Sequence, residues 1–481
     1  MWIVGIIPLR RVVKMQKLLA SKPNFVFAYF FNLIASSSPI RLYFRLLAGI
    51  FLIHFGSLLI QCADLTVLSN ISPSVNHWGL FKWLPWANAH IILWASFIPA
   101  TLLLGLIAPF WSLLACSYVA YSLLAYFPIF LSYQWDMLLI EVGICSLFFV
   151  SPFRLYFTKN APSSVHMAQF LPLIFVIIRL FFHSGLVKLG SHDPYWMSLE
   201  ALGIHLYSQP MPHYMAKICH YFILKWNMGP TLVYLMFVME LIIPFGLLFH
   251  RYRQSAAWLL ILFQVSIILT GNFGYFNYLV MVPLILLTQL TPSATPAPIS
   301  WRWPSWGIGA VVIIFMINGM STLIVPKKPV PIRVPGLRPL WQPYGLFQNI
   351  TTQQTRFTVA VSDDLNTWVP IPLRYFDQEG FPSLTVVQPY LPRIRWQLWF
   401  RFLMPIQYEP HWYRQFLYLI AQNKHPFTSI IHHQPRKAYR FLRTCHQPIA
   451  FAINRSYAPL PNWVTLAPPN CRILDTHKLP H

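Results

Sequence analysis

Long apolar runs separated by short polar connections fill residues 44–325, and a shorter rhythm follows. A helix needs about 20 mostly apolar residues to cross a bilayer. Such runs lie at 44–62, 89–109, 112–131, 136–152, 168–189, 229–249, 255–271, 273–290 and 305–325. The pattern therefore predicts an all-α polytopic membrane domain over 44–326 with about nine transmembrane helices, and eight to ten because two runs are short. Ahead of it, residues 1–43 hold Arg10, Arg11, Lys14, Lys17, Lys22 and Arg41 and no acid. That segment reads as basic and amphipathic, lying on an anionic cytoplasmic leaflet.

From residue 327 the period changes. Arg356–Ser362 alternates like a strand, Asp363–Asn366 is a turn, and Trp368–Ile371 and Ser383–Val387 read as further strands. Arg393 to Phe402 alternates basic or polar residues with Trp396, Leu398 and Phe400. His411–Gln422 reads as a short amphipathic helix. Residues 327–481 are thus expected to form a β-rich domain with a core of its own.

Composition sharpens this picture. The 481 residues are 56% hydrophobic and only 10% charged, against about 25% charged in soluble domains, so the chain is a multi-pass membrane protein. Its net charge is +23. The basic residues are spread over loops and the C-terminal region rather than gathered in one patch, which argues against nucleic acid as a partner. With the N-terminus in the cytoplasm, inside segments hold 11 Lys and Arg and outside loops hold 3 (Lys82, Lys217, Lys225). An odd number of spans then puts the C-terminal domain outside, where 18 Lys and Arg face 6 Asp and Glu. Its basic surface suits an anionic lipid surface or an acidic partner. The six cysteines form no CxxC pair, so no metal site is indicated and no cofactor is named. Cys445 and Cys471 either pair, if their domain is exported, or stay free thiols.

Candidate chemistry lies in the charges within apolar runs. Each costs at least ~2.5–3.5 kcal/mol on insertion scales, so such residues face a bundle interior and partners. Arg179, His183 and Lys188 stand in the fifth run, Asp136 and Glu141 in the fourth, Glu240 in the sixth. Arg179 and His183 are i,i+4 and share a face, and Glu141 is a fitting partner for either. Asp136 and Lys188 are expected at similar depth near the outer surface. Beyond the fifth run comes an aromatic, proline-stiffened loop with Asp193, Trp196, His205 and Gln209. Two readings stay open. One is an outer-face site in which a desolvated Lys188 acts as a base beside Asp136 and Glu141. The other is a set of ion pairs that fix helix packing.

The runs Gln134-Trp135-Asp136 with Glu141 and Gly143, Arg179 to Leu189, Asp193 to Pro212, and Gly271-Asn272 with Asn277 resemble the lipase maturation factor family. So do Tyr344–Phe347, Trp368, Pro392-Arg393 with Trp396–Phe400, and Asn423 to Phe427. The family pattern has His before the Pro-Arg pair and Asp after it; here Leu391 and Arg395 stand there. The resemblance implies a membrane protein assisting maturation of exported proteins such as lipases, with its C-terminal domain extracytoplasmic. Animal members reside in the endoplasmic reticulum; the short loops here look bacterial, which favours an inner membrane. A fainter similarity links Phe182–Leu189 and Trp196 to vitamin K-dependent gamma-glutamyl carboxylases. It implies a base at Lys188 acting on a lipid- or quinone-like substrate.

Overall fold

The computed structural model describes residues 38–69, 80, 88–131, 133–150, 152, 155, 167–289, 344–377, 379–405, 408–433, 435, 437–451, 464–466 and 468–476. The basic N-terminal segment up to residue 37 and the expected span at 305–325 lie outside the described residues.

Ten helices of eight residues or more come first among the described residues: α1 (Pro39–Leu68), α2 (Ala89–Leu104), α3 (Pro109–Tyr126), α4 (Gln134–Ser146), α5 (Met167–Gly190), α6 (Ala201–Ser208), α7 (Tyr214–Lys225), α8 (Gly229–Leu241), α9 (Arg253–Thr270) and α10 (Phe276–Gln289). Proline opens α1, α3 and α8, where its missing N–H is harmless. Four stretches are long and apolar enough to cross a membrane: Pro39–Leu68, Gln169–Gly190, Gly229–Leu248 and Arg253–Thr270. Ala89–Leu104 and Phe276–Gln289 are shorter apolar helices. The expected count of about nine spans is therefore not reached on length and apolarity among the described residues. The α4 segment shows why: it is a 13-residue helix that ends in a 3-10 turn, with Asp136 in its first turn.

The C-terminal part is smaller in sheet content than its sequence suggests. Strands β1 (Gln353–Ser362), β2 (Val369–Ile371), β3 (Phe441–Phe451), β4 (Val464–Leu466) and β5 (Asn470–Asp475) form one antiparallel sheet, ordered β2-β1-β3-β4 with β5 also on β3. Two helices pack with it, α11 (Arg393–Phe402) and α12 (His411–Ala421). The expected strand at Ser383–Val387 is irregular backbone instead. Its peptide groups are taken by a bundle residue: Asn272 donates to the Thr385 carbonyl at 2.8 Å and accepts from the Val387 N–H at 2.8 Å. The alternating Arg393–Phe402 stretch is a helix, because Arg393, Trp396 and Phe400 all find partners across the bundle while Arg395 and Leu398 face inward. Cys445 and Cys471 stand opposite each other on β3 and β5 and are joined by a disulfide.

The two parts share a continuous core. It runs from Leu47 and Phe51 of α1 through Leu279 of α10 to Leu391, Trp396 and Phe416. At its centre, the Leu391 side chain lies on Gly274, whose φ of +58° is the left-handed conformation glycine tolerates; an added Cβ would meet Leu391 at 2.9 Å.

Candidate functional site

A seam of buried polar groups joins the helical bundle to the C-terminal part. Its centre is Asp136, at the start of α4. Arg393, the first residue of α11, donates both terminal nitrogens to it, each at 2.6 Å, and a third bond to the Phe130 carbonyl at 3.0 Å. The Tyr275 hydroxyl donates to the same carboxylate at 2.7 Å and meets His54 Nδ1 at 3.0 Å. A bidentate guanidinium–carboxylate pair with the remaining lone pairs satisfied is the geometry in which burial of two charges is tolerated.

Helix α1 forms one wall of the seam. His54, Ser57, Gln61 and Asp64 recur at helical spacing and are all buried. Gln61 donates to the Leu391 carbonyl at 2.8 Å and accepts from the Arg393 N–H at 2.7 Å. It thereby caps α11, whose N-cap Pro392 makes no side-chain cap of its own. Asp64 accepts from the Ser429 N–H at 2.9 Å and from its hydroxyl, and meets His425 at 2.7 Å.

Glu141 lies one and a half turns further into α4. It pairs with Arg179 of α5 and accepts from the Tyr344 hydroxyl at 2.6 Å; Arg179 in turn lies 5.1 Å over the Tyr344 ring. Of the two expected partners, Arg179 and His183, Arg179 is the one that pairs with Glu141, with a C-terminal tyrosine as third member. His183 is buried on the same helix.

Lys188 and Asp136, expected at one depth, have separate partners. Lys188 donates to both oxygens of Glu240, at 2.6 and 2.7 Å, and lies 5.5 Å from the Trp196 ring. Both oxygens of Glu240 are thus held by the one ammonium, inside the bundle. Gly185, nearly one turn earlier, lets α8 approach this closely: an added Cβ would meet Leu241 at 2.6 Å and the Glu240 Cβ at 3.2 Å.

The loop that follows α5 belongs to the seam. Asp193 caps its own turn through the N–H groups of Tyr195 and Trp196, and with its other oxygen accepts from the Ile350 N–H at 3.0 Å. Trp196 donates to the Phe347 carbonyl at 3.1 Å, and the His205 ring meets Phe347 edge-on at 4.4 Å. Burial, together with the Lys188 charge, pushes His205 down to about 4. Gln209 donates to the Thr270 carbonyl at 2.7 Å, while its own carbonyl accepts from Gln354 of β1.

The sequence reading missed Arg393, Tyr344, Tyr275, Gln61 and Asp64 as members of this network. Gln61 and Asp64 left a legible signal in the polar stripe they share with His54 and Ser57 on α1, and Tyr344 and Arg393 stand in the motifs of the resemblance, which name no partner. Among the described residues no group of three or more His, Cys, Asp or Glu could hold a metal ion.

Comparison with known proteins matches two family descriptions in order: "Lipase maturation factor transmembrane domain" over residues 39–291 and "Lipase maturation factor C-terminal domain" over 340–459. Human lipase maturation factor 2 is 30% identical over 289 residues, covering 53% of this chain and 40% of that protein. Chicken lipase maturation factor 2 is 34% identical over 160 residues, 32% of this chain and 22% of that protein. Mouse lipase maturation factor 1 is 30% identical over 204 residues, 42% of this chain and 33% of that protein. The matched regions thus span less than half of each of these relatives. No solved structure matches the chain.

Proposed function

Since the chain belongs to the lipase maturation factor family, we propose that this membrane protein assists the maturation of exported proteins such as lipases. The observation that carries the proposal is the seam. A C-terminal domain held on a bundle by Arg393–Asp136, Tyr344–Glu141 and Asn272–Thr385 is a fixed platform at one end of the membrane domain. Such a platform suits presentation of a surface to a client rather than turnover of a small molecule.

In this reading residues 44–326 form the membrane domain, with about nine spans when the shorter helices are counted, and residues 327–481 the client-side domain. The N-terminus is cytoplasmic and the C-terminal domain extracytoplasmic. The distribution of Lys and Arg over the loops supports that orientation, and so does the Cys445–Cys471 disulfide, since disulfides persist in oxidising compartments such as the endoplasmic reticulum lumen or a bacterial periplasm. Asp136, Glu141 and Lys188 act here as buried counter-ions, with Arg179, His183 and Glu240, and Asp193, Trp196, His205 and Gln209 form the socket for residues 344–354.

Deleting the gene and comparing secreted lipase activity and the exported proteome tests the proposal. The expected result is a selective fall in one or more exported lipases, restored by the wild-type gene and not by Arg393→Ala. Unchanged yields of every exported protein would overturn it.

A further inference from the structure

Among the described residues, the C-terminal domain buries a positive charge that meets no counter-ion. Arg395 is 1% exposed. Its Nε and Nη1 have no hydrogen-bond partner among the described residues. All 12 Asp and Glu residues of the chain lie among the described residues, and none forms an ion pair with it. Those acids near the bundle are already taken: Asp64 by His425 and Ser429, Asp136 by Arg393, Glu141 by Arg179 and Tyr344, Glu240 by Lys188.

The surroundings are apolar and aromatic. The guanidinium lies 4.2 Å over the Phe376 ring, the shortest cation–ring distance among the described residues. Phe376 packs on Phe357 at 6.2 Å, and Phe357 on Phe402 at 4.9 Å. Phe402 stands seven residues after Arg395 on α11, hence on the same face. Burial alone, with no opposing charge, pushes Arg395 down to about 9.

A buried cation with no counter-ion is among the most costly groups a fold can carry. Its neighbour Arg393 shows how the same helix treats a guanidinium whose carboxylate is present. We propose that Arg395 is a binding site for a monovalent carboxylate on an apolar carrier, which enters the C-terminal domain between α11 and the Phe357–Phe376 wall and supplies the missing negative charge. The planar guanidinium fork matches a carboxylate with two parallel bonds. One positive charge balances one negative charge, so a phosphate dianion is disfavoured. The wall is built of the Phe357, Phe376 and Phe402 rings, and the one polar ring against it, His446, is engaged with the Tyr413 hydroxyl, so the carrier is apolar.

The full chain in lipid nanodiscs tests this, with radiolabelled sodium octanoate as probe and octanol, sodium chloride and sodium phosphate as competitors. Saturable binding near one equivalent, not displaced by octanol or phosphate, is expected. Arg395→Met should weaken it at least tenfold, and Arg395→Lys should weaken it less. Without ligand, Arg395→Met should unfold at the same temperature as wild type or higher, since it removes an uncompensated buried charge. Absence of saturable octanoate binding to the wild type overturns the proposal, as does equal binding to Arg395→Met. Displacement by chloride at equal concentration would overturn the carboxylate class. Should Arg395→Met fail to fold, the wild-type and Arg395→Lys binding curves still decide, because a structural arginine predicts no saturable octanoate site in either.

Discussion

Two buried bidentate ion pairs hold this molecule, and they do different jobs. Lys188–Glu240 joins helices α5 and α8 within the bundle, 52 residues apart in sequence. Arg393–Asp136 joins the bundle to the C-terminal domain across 257 residues. The first is enclosed by helix packing and by the Trp196 ring, with Gly185 allowing the close approach. The second is the hub of a network that includes Tyr275, His54, the Phe130 carbonyl and the Gln61 cap of α11. The contrast teaches that charge in an apolar helix need not mark a reaction centre. Here one pair stitches helices together and the other locks a domain onto them.

Breaking the domain lock should have the largest effect. Arg393→Ala strands the Asp136 carboxylate and is expected to cost about 3–5 kcal/mol, while Arg393→Met with Asp136→Leu should be close to neutral. Thermal unfolding in detergent measures both, and limited proteolysis should release the 344–476 region in the single variant. Breaking the inner pair by Glu240→Gln should cost about 3 kcal/mol yet leave that region protease-resistant. If both single variants release it equally, the two pairs are not functionally distinct.

The third effect is pH-dependent and confined to the sheet. His446 of β3 is 8% exposed, beside Phe357 and Phe402 and bonded to the Tyr413 hydroxyl. Burial, and then the nearby Arg401 charge, push it down to about 4. A histidine neutral in the folded domain and protonated in the unfolded chain leaves stability intact above about pH 6.5 and erodes it as pH falls toward 4. The loss should be on the order of 2 kcal/mol, and His446→Gln should flatten the pH dependence of unfolding over that window. The smallest effect is expected at Gln61→Ala, which strips the Arg393 N–H of its partner and leaves the Leu391 carbonyl only the longer bond from the Ser57 hydroxyl, for about 1–2 kcal/mol.

Much of this was legible in the sequence, and the misses share a cause. Helices coincide with the apolar runs from Pro39 to Gln289 because a bilayer-length pattern is local information. Charge in an apolar run foretold buried pairing; depth left Glu141 a choice between His183 and Arg179, and the structure pairs it with Arg179. Strand β1 was readable from alternation, whereas β3 and β5 were not: the pairing of Cys445 with Cys471 is set by tertiary contact. Arg393–Phe402 misled, because a helix with two buried faces shows polar residues at positions that mimic a strand. The partner of Asp136 was hidden for a similar reason. It lies outside the apolar runs, and hydropathy carries no trace of a soluble-side arginine reaching into the bundle end.

The most direct test of the domain lock is a double-mutant cycle on Asp136→Asn and Arg393→Met in the full chain, read as unfolding free energy. The account predicts a coupling of at least about 2 kcal/mol, with the double variant less destabilised than the sum of the singles. Additivity within about 0.5 kcal/mol would contradict it.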